Sequence, residues 1–380
     1  MKWEKVKLGN VTDSCLGKML DQNKNKGDYQ PYLANVNVRW GEFDLEDLPL
    51  MKFEESEQER YELKYGDLVI CEGGEPGRCA IWKEQIPNMK IQKALHRVRV
   101  HDCLDYRYLF YWFLLAGKTG ELDQYFTGAT IKHMPGQKLK EVVIDKPPLE
   151  IQHRIADILS AYDDLIENNQ EQIKLLEEAA QRLYKEWFVD LRFPGHENTK
   201  IVDGVPEGWI KEEIGKIIKK VHRTKQIVAS EYRDEGSIPI VDQSRAFVAG
   251  YTNDLEARVD FGIPIIVFGD HTRIVKLIQF PFAKGADGTQ LIISDCLEMP
   301  QRLLYCSIMN VDLSNYHYAR HFKYLKEEKI MIPTVKVANE FENNVTGIFS
   351  KIQNCRDEII RCQKTRNLLL PKLMSGEVEV

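Results

Sequence analysis

The chain has 380 residues, 43% of them apolar and 29% charged, with a formal net charge of −6. That length exceeds one simple core and suits two domains of ordinary size, and the apolar share excludes a disordered chain. No run of 18 or more apolar residues occurs, so no membrane span is predicted.

The N-terminus, Met1-Lys2-Trp3-Glu4-Lys5, lacks the apolar segment of a secretory signal. The eight cysteines are scattered and form no C-x-x-C pair. A reduced, cytoplasmic protein is the expectation.

Residues 1–147 mix short β-rich runs with turns. Leu68–Cys71, Cys79–Trp82 and Leu95–Val100 predict strands, and Tyr106–Ala116 predicts a buried helix. Residues 148–190 change character. From Ile155, steps of four and three reach Leu159, Tyr162, Ile166, Asn169, Ile173, Leu176, Ala180, Leu183 and Trp187. A seven-residue apolar repeat of this length predicts a coiled-coil helix. Pro147 and Pro148 mark its start, and Pro194-Gly195 follow its end. This stretch, counted from residue 149, carries ten acidic and four basic side chains, so the net charge of −6 resides here. The larger segments on either side are close to neutral, and each has room for a basic face.

Residues 191–208 read as a linker rich in Gly and Pro. Residues 209–334 repeat the first pattern. Trp209 to Gly215 matches Trp3 to Gly9, and Phe261-Gly262 matches Tyr65-Gly66. Ile263–Phe268, Arg273–Ile278 and Gln290–Ile293 are the expected strands. The linker and the repeat together make up a second domain, residues 191–334. Residues 335–380 then repeat the long helix, through Phe341, Val345, Ile348, Ile352, Cys355, Ile359, Cys362, Arg366, Leu369 and Leu373. Two helices of like register, each about 60 Å long, can bury their stripes against each other. Asn169 and Arg366 are the polar exceptions, and a polar seam residue fixes register at a cost in stability. The predicted class is α+β: two related α/β domains separated by two long antiparallel helices that form a coiled coil.

No catalytic signature survives inspection. Gly117-Lys118-Thr119 lacks the earlier glycine of a phosphate loop, because position 112 is Trp. Asp145-Lys146-Pro147-Pro148 lacks the aromatic that would stack on an extruded base, and it serves as a helix start. His317 and His321 have helical spacing but no carboxylate partner, so no metal site and no catalytic residue are expected.

What remains is polar chemistry on loops. Arg, Lys, Gln and His can donate to phosphates and to base edges in the major groove. Arg78, Lys90, Gln92, Lys93 and Arg97, with Thr130 and Lys132, are the candidate DNA contacts of the first domain. His271, Arg273, Lys284, Gln290 and Arg320 are those of the second. On residues alone, two other readings stay open: a stand-alone DNA methyltransferase or nuclease with an unrecognised motif, and a coiled-coil scaffold.

The run Pro147-Pro148-Leu149-Glu150-Ile151-Gln152-His153-Arg154-Ile155, continuing into Asp163-Asp164-Leu165, resembles the central helix of type I restriction–modification specificity subunits. Thr127-Gly128-Ala129-Thr130, Tyr65-Gly66-Asp67 and the closing Leu373-Met374-Ser375-Gly376 are similar to the same family. The second helix lacks the Pro-Pro-Leu start. The resemblance implies two target-recognition domains, 1–147 and 191–334, alternating with spacer helices, 148–190 and 335–380. It implies a non-catalytic subunit that reads a bipartite, asymmetric site in double-stranded DNA. It also implies two methyltransferase (modification) subunits and restriction subunits with motor activity as partners. No cofactor is expected in this chain, since S-adenosylmethionine, ATP and Mg2+ would serve the partner subunits.

Overall fold

The computed structural model of the protein describes residues 3–21, 25–221, 224–285, 287–316 and 320–380. It divides into two compact units, Met1–Glu167 with Ile359–Val380, and Asn168–Glu358. Each unit therefore combines one sheet-bearing domain with part of both long helices.

The first unit contains strands β1 (Glu4–Lys7), β2 (Thr12–Leu16), β3 (Asp28–Leu33), β4 (Leu50–Phe53), β5 (Leu68–Cys71), β6 (Cys79–Ile81), β7 (Lys90–Ile91), β8 (Leu95–Val100) and β9 (Val143–Lys146). Its helices are α1 (Gln58–Tyr61), α2 (Tyr106–Thr119), α3 (Gly136–Glu141) and the first part of α4 (Leu149–Tyr184). The first and last strands clasp each other antiparallel, Glu4 opposite Lys146 and Lys7 opposite Val143. One sheet runs β2-β8-β5-β6, and a second runs β4-β3-β7 with β3 and β7 parallel. The uninterrupted apolar run of β5 is buried along its whole length, as a strand covered on both faces requires. Helix α2 is capped by Asp105, which accepts from the backbone N–H of Arg107 and Tyr108. It ends at Gly120, which takes the left-handed conformation at φ 74°. Its aromatic residues Tyr108, Tyr111 and Phe113 pack in one core with Leu8, Ile144, Ile155, Leu159 and Leu373.

Gln152 of the Pro-Pro-Leu-Glu-Ile-Gln motif is completely buried. Its amide donates to the carbonyls of Pro147 (2.8 Å) and Cys103 (3.3 Å) and accepts from the N–H of Asp105 (2.9 Å). One side chain thus ties the start of α4 to the cap of α2.

The second unit repeats this plan. Its strands are β10 (Ile201–Val202), β11 (Val205–Pro206), β12 (Ile210–Glu213), β13 (Gln226–Ile227), β14 (Ile238–Val241), β15 (Gly250–Thr252), β16 (Arg258–Val259), β17 (Ile265–Gly269), β18 (Val275–Ile278), β19 (Phe282–Gly285), β20 (Thr289–Ile292) and β21 (Lys329–Ile332). Its helices are the rest of α4, α5 (Gln301–Met309), α6 (His321–Glu327) and most of α7 (Val335–Met374). Strand β12 clasps β21, Ile210 opposite Ile332. One sheet is β18-β17-β20, and the other centres on β19 with β14 parallel to it. The expected linker 191–208 is partly ordered, since β10 and β11 form a short hairpin.

Every predicted seam position of the two long helices is buried or half-buried. In the first unit Ile155, Leu159 and Leu373 share one core; in the second Phe341, Val345 and Ile352 share another with Ala180 and Trp187. Asn169 is only 3% exposed. Arg366 pairs with Asp163, whose second oxygen accepts from the Tyr111 hydroxyl at 2.5 Å. Helix α4 runs on as a π-helical turn over Lys185–Val189, which carries Trp187 and Phe188 into the second core. No helix among the described residues is long and apolar enough to cross a membrane.

Candidate nucleic-acid interface

In the first unit, four loops meet at one end of the sheets. They are the β5–β6 hairpin tip (72–78), the β7–β8 turn (92–94), the segment 127–134 that leads into α3, and the loop 34–41 that follows β3. The backbone joins the first three. Glu72 N–H donates to the Ala94 carbonyl at 2.8 Å, and Met134 N–H donates to the Glu72 carbonyl at 2.7 Å. Side chains attach the fourth. Asn35 donates to the Gly73 carbonyl (3.0 Å), Arg78 donates to the Asn35 carbonyl (3.2 Å), and the Trp40 indole donates to Glu75 (2.7 Å).

The second unit builds the same junction from different residues. Asp270 N–H donates to the Gly288 carbonyl (2.7 Å), and His321 N–H donates to the Asp270 carbonyl (2.9 Å). The segments are the β17–β18 tip (270–273), Asp287 and Gly288 before β20, Arg320 and His321 at the start of α6, and the loop 242–249 after β14. Gln243 of that last loop donates to the Asp287 carbonyl (2.8 Å) and accepts from His271 N–H (3.1 Å). The Thr272 hydroxyl donates to the Gln243 carbonyl at 2.7 Å. Asp270 also accepts from Phe322 N–H at 2.8 Å, fixing the start of α6.

The structure gathers the sequence candidates unevenly. Lys93, Thr130 and Lys132 are exposed on the first cluster, and His271, Arg273 and Arg320 on the second. Lys132 lies 3.6 Å from Asp123. Arg273 adopts φ 62° and donates to the Leu313 carbonyl at 3.1 Å. Gln92, Lys284 and Gln290 are half-buried, and burial lowers the Lys284 ammonium from its ordinary range. Arg78 is turned inward to Glu75 and Asn35, where it holds the tip in shape.

Two candidates are corrected. Lys90 is fully buried, its ammonium on Glu62 at 2.8 Å. Arg97 is 8% exposed and donates to the Glu59 carbonyl at 3.0 Å. Alternation along a strand predicted a basic face, but neighbouring carboxylates and carbonyls draw these cations into the fold. His317 and Ala286 lie outside the described residues. Among the described residues, no group of three or more His, Cys, Asp or Glu side chains is placed to hold a metal ion.

Sequence reasoning missed the loops after β3 and β14. Both follow two-residue parallel pairings, Tyr32-Leu33 on Lys90-Ile91 and Ile240-Val241 on Ala283-Lys284. So short a ladder leaves no periodic signal. The available clue was Asn35 and Asn37 in one loop and Gln243-Ser244 in the other, each after an apolar run.

Comparison with known proteins agrees with the fold. A family model described as type I restriction modification DNA specificity domain matches residues 1–178. The MjaIX specificity subunit of a type I restriction enzyme from Methanocaldococcus jannaschii is 30% identical over 343 residues, covering 83% of this chain and 78% of that protein. The MjaVIII specificity subunit of the same organism is 27% identical over 240 residues, covering 62% and 53%. The crystal structure of the type I restriction–modification S subunit from M. genitalium shares the fold, with a TM-score of 0.58 over 98% of this chain and 96% of that one at 17% identity.

Proposed function

Because the chain belongs to the family of type I restriction–modification specificity subunits, a DNA-recognition rather than a catalytic role, we propose that it reads a bipartite, asymmetric target in double-stranded DNA. One observation carries this reading. The two units build the same four-loop cluster, yet Gly73-Gly74-Glu75-Pro76-Gly77 stands at one tip and His271-Thr272-Arg273 at the other. Like scaffolds with unlike contact residues suit two different half-sites.

In this reading the helices dock two modification subunits, and restriction subunits join them. Exposed apolar side chains on the helices support docking: Ile158, Leu165, Ile360 and Leu368 in the first unit, and Leu175 in the second. The chain holds no cofactor of its own. S-adenosylmethionine belongs to the modification partners, and ATP and Mg2+ to the restriction partners.

Methylome sequencing of a host carrying this chain and its modification subunit tests the reading. The expected motif has two short, different blocks around unspecified bases, with one adenine methylated on each strand. A continuous or palindromic motif overturns it.

A further inference from the structure

The loop 242–249 does more than staple its neighbours. Its ends are anchored on opposite sides. At the start, Gln243 binds Asp287 and His271 of the adjoining loops, and Asp242 accepts from both the N–H and the hydroxyl of Ser244. At the far end, the Phe247 ring lies 3.7 Å from the guanidinium of Arg356, which itself bonds Glu177 at 2.7 Å. Between them the buried Lys276 ammonium donates to the carbonyls of Asp242 and Ala246. The carbonyls it grips lie on either side of Arg245.

Arg245 itself is exposed, and it makes no hydrogen bond, ion pair or ring contact among the described residues. By contrast, Arg273 bonds the Leu313 carbonyl, Arg258 pairs with Asp260 and Arg302 pairs with Glu342. The backbone that carries this guanidinium is held at three points, so little backbone freedom is lost when the side chain meets an acceptor. The first unit gives the corresponding loop the same attachment to its hairpin tip, through Asn35, Arg78 and Trp40. The attachment is therefore part of the repeated plan.

We propose that the loop after β14 is a DNA-contacting element of the second domain and that Arg245 is its contact residue, donating to an acceptor of the second half-site. This rests on the specificity-subunit reading above. The acceptor is a phosphate oxygen or the O6/N7 edge of a guanine, which share the same donor chemistry.

The test uses the chain assembled with its modification subunits and duplexes carrying the methylome-defined target. Wild type, Arg245→Ala and Arg245→Lys are compared for affinity at several salt concentrations and for discrimination at each position of both blocks. A phosphate contact predicts a uniform loss of about tenfold in Arg245→Ala, a salt slope shallower by about one, and rescue by Lys. A guanine contact predicts about tenfold loss of discrimination at one position of the second block, without rescue by Lys. Melting temperature and first-block discrimination stay at wild-type values in both cases. Wild-type affinity, salt slope and discrimination in Arg245→Ala overturn the Arg245 assignment alone. Absence of sequence-specific binding by the wild-type complex overturns the specificity reading and this assignment with it.

Discussion

Ala94 and Gly288 hold the same place in their clusters, each offering its carbonyl to the hairpin tip at nearly the same φ, 86° and 85°. Only glycine adopts that conformation without cost; an L residue there is strained by about 1 kcal/mol. Ala94→Gly should therefore stabilise the protein by about 0.5 kcal/mol after glycine's greater chain entropy is set against the relief. A shift of the chemical-denaturation midpoint measures it. The reverse change is not symmetric. A Cβ on Gly288 would stand 2.7 Å from Gln243 Nε2 and from His271 Cδ2, so Gly288→Ala should impair the second half-site. Lys276 supplies a second residue-scale prediction. Burial lowers its ammonium to about 8, from an ordinary 10.5. Below pH 8 both folded and unfolded chains hold the proton, and the burial penalty is complete. Between pH 8 and 10.5 the unfolded chain binds more protons, so folding stability rises with pH. Wild type should thus gain on Lys276→Met across that window in thermal melts, and a flat difference refutes it. At this scale the sequence was only partly legible. Charge identified Arg273 and Lys132 as candidates, but Lys90 and Lys284 look alike on paper and differ in burial because Glu62 waits beside one of them.

The long helices were the most legible elements, because a seven-residue repeat depends on local sequence alone. Arg366 breaks the repeat and pairs with Asp163, which also accepts from the Tyr111 hydroxyl. At the comparable contact in the second unit, Tyr305 meets the ring of Phe349 edge-on, with centroids 5.5 Å apart. The first unit therefore places a carboxylate against the tyrosine where the second places a ring, with the Arg356–Glu177 pair close by. Removing one member of the first unit's set strands the others. Arg366→Met should cost about 1–3 kcal/mol, since Asp163 keeps some solvent exposure. Adding Asp163→Leu and Tyr111→Phe should restore most of that loss, because all three polar groups then leave together. Additive losses across the series, read from melting temperatures, contradict this. The short strands β7, β13 and β16 were illegible for the opposite reason. Two residues carry no period, and their partners lie far away in sequence.

For the whole molecule, the repeat was readable from Trp3 and Trp209 and from the two helices. The clasped strands that they introduce were not, because pairing over more than 100 residues leaves no local trace. Each recognition domain carries its own core and its own loop cluster. Replacing residues 191–334 by the corresponding segment of another specificity subunit should change the second block of the methylated motif and leave the first unaltered. Methylome sequencing decides this; a change in both blocks means the domains do not read independently.

The clasps also determine how each domain bears load. Glu4 lies opposite Lys146 and Ile210 opposite Ile332, so the chain enters and leaves each domain at the same outer rung, about 5 Å apart. In the second domain, which lies between α4 and α7, tension along the two helices should meet these rungs one after another, as when a zip is opened. The clasp should then yield before the sheets behind it. A pull on the two helices should therefore open this clasp before it disturbs the loop cluster.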